Sequence, residues 1–152
     1  MSGVTGIDWD EIAVRLGAAH YYWVHTTGPD GAPDASPVWG VVNHDILYMY
    51  TFRSSVKARN LARDPRLVVH LESGSDVTIV HGSAVDMGLP TEHPDIVEAF
   101  EAKYRRPEEA PFLPSSDPGF DVLYSIQPRR ALVWALPDSE ASTRRWAAAR
   151  GT

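Results

Sequence analysis

The chain has 152 residues, 43% of them hydrophobic and 22% charged, as expected for one globular domain with a buried core. Its net charge of −6 disfavours a nucleic-acid partner, because affinity for DNA comes mainly from neutralising phosphates. The absence of cysteine excludes disulfides, thiolate metal sites and a cysteine nucleophile.

The first part of the chain is predicted to alternate short strands with tight turns. A helix over residues 8–17 comes first, because its apolar residues recur at helical spacing. Aromatic and β-branched runs separated by turn residues then predict strands at 19–27, 37–42, 46–52, 67–72 and 77–87. Between the third and fourth strands, residues 54–63 favour a short helix that Pro65 cannot continue.

The second part begins with a helix that starts at Pro90 or Thr91. Four prolines make residues 107–118 a stiff surface loop, either a lid or a plain connector. Residues 120–127 and 131–136 favour strand on either side of a proline, as one long bent strand, and a short helix is expected from Asp138. About six strands with tight turns and peripheral helices indicate an α+β fold, mainly β, built as an antiparallel barrel in a single domain over residues 1–152.

Positive charge is concentrated in residues 51–66. This window holds five basic residues and one acid, a net +4, whereas the remaining nine basic and nineteen acidic residues give −10. The basic residues are Arg53, Lys57, Arg59, Arg63 and Arg66. Because Ser54 and Ser55 precede a helix start, whose free N–H groups favour anions, the window predicts a site for a phosphorylated ligand. The alternative is a solvated basic helix face.

Several segments resemble the split β-barrel flavin family related to pyridoxamine 5′-phosphate oxidase. They are residues 37–41 (PVWGV), 47–51 (LYMYT), 55–61 (SVKARNL) and 64–71 (DPRLVVHL). Within that family they are most similar to the deazaflavin-dependent reductases of actinobacteria. The resemblance implies a six-stranded antiparallel split β-barrel that forms a homodimer, with the cofactor in a groove between the subunits.

The resemblance also implies which residues contact the cofactor. Ser55, Lys57 and Asn60 would hold its phosphate or side chain, with Thr51 and Arg53 flanking them. Independently of the resemblance, the position of Ser54 before the helix start predicts that its hydroxyl also contacts the ligand. Pro37, Val38 and Trp39 would lie beside the planar ring.

Two features favour coenzyme F420 over FMN as the cofactor. The pyridoxamine phosphate oxidases resemble one another in basic residues on the second strand and in a C-terminal strand with an arginine. Here residues 38–42 carry no charge, and the chain is expected to end in a helical tail. FMN remains the alternative.

The expected function is an oxidoreductase in which reduced F420 transfers hydride to an unsaturated small-molecule acceptor. The alternatives are an FMN-binding oxidoreductase and a non-catalytic carrier of F420 or FMN. No catalytic residue is assigned, and the proton could come from Tyr48, Tyr50, a histidine or solvent.

Other partners find little support in the sequence. The six histidines lack the spacing of a helical zinc motif, so no metal site is predicted, although His70 and His81 could face each other across two strands. No apolar run is long enough to cross a bilayer, and the N-terminus lacks the pattern of a signal peptide, so we expect a cytoplasmic protein.

Overall fold

The computed structural model describes residues 6–150, which form seven β-strands and four α-helices. The strands are β1 Tyr21–Thr27, β2 Pro33–Asn43, β3 Ile46–Thr51, β4 Arg66–His70, β5 Asp76–Asp86, β6 Val122–Ala135 and β7 Arg144–Ala147. The helices are α1 Trp9–Ala18, α2 Val56–Arg63, α3 Pro94–Lys103 and α4 Ser139–Ser142. Single 3₁₀ turns lie at Pro90–Glu92 and Ala110–Phe112.

Six of the strands close into an antiparallel barrel, which confirms the predicted fold class. Their order is β3-β2-β1-β4-β5-β6, and pairing between β3 and β6 completes the circle. Strand β6 pairs with β5 along most of its length, and on its other edge its first half pairs with β3 and its second half with β7.

The barrel interior is filled by alternate residues of each strand. Strand β1 shows the period-two pattern clearly, with Tyr22 and Val24 buried and the residues between them only half-buried. A second apolar cluster lies outside the barrel, where Phe100 and Tyr104 at the end of α3 pack against Val41 of β2. This second cluster supports the strand that carries Trp39.

Strand β6 runs through Pro128 as one strand, as predicted. A bulge opposite His81 and Gly82 absorbs Arg129, which has no partner in the register. A Cβ atom at Gly82 would lie 2.4 Å from the carbonyl oxygen of Gln127, so only glycine fits at this crossing.

Two expectations about the strands are wrong. Strand β2 begins at Pro33, four residues earlier than predicted, and therefore includes the charged residue Asp34. The C-terminal tail is not helical beyond α4, because Arg144–Ala147 pairs with β6 as strand β7. Trp146 of this strand packs against Trp9 at a ring-centroid distance of 4.9 Å.

None of the helices within residues 6–150 has the length and apolar character needed to cross a membrane.

Candidate functional site

A cavity of about 430 Å³ opens where β2, β3 and the start of α2 meet the proline-rich loop. Six of the nine site residues expected from the sequence line it: Pro37, Val38, Trp39, Thr51, Ser55 and Lys57. Four further residues complete the wall: Tyr50, Phe52, Phe112 and Phe120. The fold thus brings most of the expected residues together, although strands and helix contribute them separately.

The helix start at the cavity is built by Ser55. Its Oγ accepts a hydrogen bond from the backbone N–H of Ala58 at 3.2 Å, which is the usual arrangement of a capping serine. The N–H groups of Val56 and Lys57 find no backbone acceptor among the described residues. Two free donors and the positive end of the helix therefore lie at this rim of the cavity.

Lys57 is the one charged residue among the described residues that line the cavity. Burial lowers the pKa of its ammonium group. Within residues 6–150 that group has no hydrogen bond and no ion pair. A half-buried cation without a counter-charge attracts an anion, and the adjacent helix start has the same preference.

Aromatic rings form the other side of the cavity. Trp39 stacks on Tyr104, with ring centroids 4.4 Å apart and an interplanar angle of 15°. Phe112 meets Trp39 edge-on at 6.1 Å. Phe52 stacks on Phe120 at 4.3 Å and 14°. These flat apolar surfaces suit a planar ring system.

The loop that supplies Phe112 is held at two points. Tyr50 donates a hydrogen bond of 2.5 Å to the carbonyl oxygen of Phe112. Glu109 is buried and accepts hydrogen bonds from the Tyr21 hydroxyl and His20 Nε2, both at 2.6 Å. Burial alone would raise the pKa of the Glu109 carboxyl, but these hydrogen bonds outweigh it and lower the pKa to about 2. The loop is therefore a fixed wall of the cavity.

Behind Trp39, a polar network fixes the backbone of β2. The Tyr104 hydroxyl accepts a hydrogen bond from the N–H of Gly40 at 2.8 Å, and Lys103 Nζ donates to the Gly40 carbonyl at 2.7 Å. Burial lowers the pKa of Lys103 to about 8. Gly40 itself is required because a Cβ atom there would lie 2.8 Å from the Tyr22 ring. The glycine thus allows close packing inside the barrel.

Three expected site residues do not line the cavity. Asn60 is 2% exposed, and its Nδ2 donates to Thr26 Oγ1 at 3.0 Å and to Asp34 Oδ2 at 2.8 Å. Its Oδ1 accepts from Arg63 at 2.6 Å, so the amide is fully engaged within the protein. Ser54 is exposed and lies outside the cavity.

Arg53, the third of these residues, is engaged elsewhere. Its guanidinium forms a two-pronged ion pair with Asp86 at 2.7 and 3.0 Å. It lines a separate cavity of about 260 Å³, together with Arg59. Arg66 pairs in the same way with Asp64. Three of the five basic residues of the window thus bind other residues of the chain: Arg53, Arg63 and Arg66. Of the five, Lys57 alone lines the larger cavity.

The three phenylalanines of the site, Phe52, Phe112 and Phe120, were missed by the sequence analysis. Phe112 lies in the loop that was interpreted only as a lid or connector, and Phe120 was assigned to the start of a strand. The available signal was one phenylalanine inside a stiff proline-rich segment and a second one just after it.

The histidines are arranged differently from the sequence expectation. His70 does not face His81, because the register pairs His70 with Ile79 and His81 with Val68. His70 instead contacts His25 of β1. Within residues 6–150 no group of three or more histidine or carboxylate side chains could hold a metal ion.

Comparison with known families assigns the fold. A model of the family described as pyridoxamine 5′-phosphate oxidase matches residues 9–135, which is most of the chain. The chain belongs to the pyridoxamine 5′-phosphate oxidase family. The matched region includes the whole barrel and every residue that lines the cavity, so the cavity lies within the family domain.

Solved structures with this fold include proteins that are described as having different functions or none. A conserved hypothetical protein, Rv2991 from Mycobacterium tuberculosis, is 23% identical, with a TM-score of 0.70 over 97% of this chain and 89% of its own. A structure titled F420 reductase is 19% identical, with a TM-score of 0.62 over 76% of this chain and 91% of its own. A heme binding protein from Mycobacterium smegmatis is 14% identical, with a TM-score of 0.72 over 95% of this chain and 60% of its own. At these identities the likeness shows the fold alone. No curated protein matches the sequence.

Proposed function

We propose that this family member is an oxidoreductase that binds reduced coenzyme F420 in the larger cavity and reduces an unsaturated small molecule. The observation that carries the proposal is the pairing of an aromatic wall with one unpaired ammonium group. The wall includes Trp39 and Phe112, and the ammonium belongs to Lys57 at the start of α2. A planar redox cofactor with an anionic tail needs both features.

The residues of the cavity fit such a cofactor in chemistry. Lys57 and the free N–H groups at the helix start would hold a phosphate. Pro37, Val38 and Trp39 would lie against the ring, as the resemblance implies. When bound, the deazaflavin ring supplies a hydride from its C5 carbon. The remaining task of the chain is to orient two flat partners, and orientation can supply roughly 7–11 kcal/mol of the barrier.

Tyr50 is a poor source of the proton that completes the reduction. Burial raises the pKa of its phenol, and the phenol proton is already donated to the Phe112 carbonyl. Tyr48 does not line the cavity. We therefore assign the proton to solvent that enters the open side of the cavity.

The choice of F420 over FMN rests on strand β2. Its eleven residues, Pro33–Asn43, include Asp34 but no basic residue that could grip the phosphate of FMN. The presence of β7 removes the second argument, since the chain does end in a strand that carries arginines, Arg144 and Arg145. The family binds flavin-type cofactors, and β7 makes an FMN-dependent oxidoreductase the second candidate.

A homodimer is part of this proposal. Three apolar side chains around the helix start and the loop remain exposed: Phe52 at 36%, Val56 at 53% and Phe112 at 55%. The outward side of the barrel also carries a row of half-buried residues across four strands, of which three are apolar. The strand register places them side by side in the order Trp23, His70, Ile79 and Leu132. A second copy would cover such surfaces and close the cavity into a groove.

Titration of the purified protein with F420 and, separately, with FMN tests the cofactor. We expect F420 fluorescence polarisation to rise with micromolar affinity and FMN to bind more weakly. Tighter FMN binding, or a yellow protein that releases FMN on denaturation, would indicate an FMN-dependent oxidoreductase instead. Reduced F420 that stays reduced with a wide set of conjugated acceptors would instead indicate a carrier.

A further inference from the structure

The inference concerns two histidines on neighbouring barrel strands, outside the cofactor cavity. His25 of β1 and His70 of β4 lie with their Nε2 atoms 2.8 Å apart and their ring centroids 4.9 Å apart. Both side chains are half-buried. The two residues are 45 positions apart in sequence, so no spacing motif could reveal the pair.

One of the two rings is fixed by the backbone. Nδ1 of His70 lies 2.7 Å from the carbonyl oxygen of Leu71. A carbonyl only accepts hydrogen bonds, so Nδ1 must carry the proton, and the lone pair of neutral His70 is on Nε2. This is the arrangement of metal-binding histidines, in which one ring nitrogen donates to a backbone carbonyl and the other is aimed at the ion.

The second ring can supply its lone pair at the same point. Without an ion, His25 donates its Nε2 proton to His70. If the proton moves to Nδ1 of His25, both Nε2 lone pairs become available and no proton is lost. Burial, together with the neighbouring His70, lowers the pKa of His25 and so favours the neutral form of its ring.

The distance between the rings suits a shared ion. Two imidazole nitrogens that bind one tetrahedral ion at 2.0–2.1 Å lie about 3.3 Å apart. The observed separation of 2.8 Å therefore has to open by about 0.5 Å, which small rotations of the two rings provide.

We propose that His25 and His70 form a binding site for one divalent transition-metal ion, such as Zn²⁺ or Cu²⁺. Neutral imidazole prefers these ions to Mg²⁺ or Ca²⁺. Since no third histidine or carboxylate completes the site within residues 6–150, solvent or the second copy of the proposed homodimer supplies the remaining ligands. The ion would link β1 to β4 across the barrel wall.

His81 provides a matched control. It lies on the same side of the sheet, because His25 pairs with Val68 and Val68 pairs with His81. It makes no hydrogen bond with either histidine of the pair. Burial and the charges of Arg130 and Arg129 lower its pKa, and those cations oppose a metal ion there.

The experiment uses the full chain without a polyhistidine tag and Zn²⁺ alone as the probe. Calorimetry and thermal unfolding are measured for the wild type and for the His25→Gln, His70→Gln and His81→Gln variants. We expect one Zn²⁺ per chain, a rise in Tm for the wild type and the His81 variant, and affinity at least about tenfold lower in the other two. Cu²⁺ should show two nitrogen ligands by electron paramagnetic resonance.

Three results would overturn the proposal. They are the absence of saturable binding by the wild type, unchanged affinity in either the His25 or the His70 variant, and equal loss in the His81 variant. Glutamine keeps the size and polarity of the site, and circular dichroism checks that each variant is folded. Because none of these measurements involves F420 or FMN, the result is independent of the proposed function.

Discussion

The hydroxyl of Tyr50, in strand β3, donates a hydrogen bond of 2.5 Å to the carbonyl oxygen of Phe112, in the proline-rich loop. This bond joins the floor of the cavity to the loop that forms one of its walls. The sequence left open whether this loop is a lid or a connector. Its buried anchors indicate a wall that stays in place.

Replacing Tyr50 by phenylalanine should therefore loosen the loop. We expect a loss of about 1 kcal/mol in the free energy of unfolding, since one buried hydrogen bond is removed. Chymotrypsin should cleave after Phe112 faster than in the wild type. Tyr48→Phe is the control, because Tyr48 lies in the same strand and no hydrogen bond of its hydroxyl is found among the described residues. Equal cleavage rates in the two variants would contradict the role given to Tyr50.

Acidification should act on the second anchor of the loop. The pKa of Glu109 is lowered to about 2 in the folded protein, from an ordinary value of 4.5. A lowered carboxyl pKa stabilises the fold fully above the unfolded value, and this contribution is lost as the pH falls through the folded value. The wild type should thus lose stability from Glu109 between about pH 4.5 and pH 2.

The Glu109→Gln variant isolates that contribution. Its Tm should be lower than that of the wild type at pH 7, and the difference should shrink as the pH approaches 2. Other carboxylates also titrate in this range, so the difference between the two proteins is the quantity to measure. Glu108→Gln, at the exposed neighbouring position, should show no such convergence. A Tm difference that stays constant with pH would contradict the role of Glu109 as an anchor of the loop.

Asn60 offers a test that separates a structural role from a ligand role. Its amide links α2 to Thr26 of β1 and Asp34 of β2. Asn60→Ala should cost about 1–3 kcal/mol of unfolding free energy, because buried polar partners are left unpaired. In the protein that remains folded, the affinity for F420 should not change. A weaker affinity without a loss of stability would restore the role that the resemblance implies for this residue.

The barrel could be predicted from the sequence because its signals are local. Period-two alternation marks each strand, and turn residues such as those before Ile46 mark where one strand ends and the next begins. The terminal strand could not be predicted in the same way. Residues 144–149 contain Ala147, Ala148 and Ala149, which favour helix, but pairing with β6 and the contact between Trp146 and Trp9 decide the outcome.

The site could be predicted only in part, for a related reason. Trp39, Ser55 and Lys57 lie in segments whose sequence resembles the family, so their place in one site could be expected from their positions. Phe112 is held at the cavity by the bond from Tyr50 and by the bonds of Glu109 to His20 and Tyr21. The partners of Asn60 and Arg53 are likewise distant in sequence, and a charge count cannot show that Asp86 neutralises Arg53.

The most direct test of the proposed site compares one lysine and one arginine on the same helix, α2. Lys57 lines the larger cavity and has no partner among residues 6–150, whereas Arg59 lines the smaller cavity beside Arg53. F420 affinity is measured by fluorescence polarisation for Lys57→Met, which keeps the aliphatic stem, and for Arg59→Met. We predict a loss of at least about tenfold for Lys57→Met, since a charge-assisted hydrogen bond contributes about 1.5–3 kcal/mol, and a change within about twofold for Arg59→Met. Unchanged affinity in folded Lys57→Met, or an equal loss in both variants, would contradict the account.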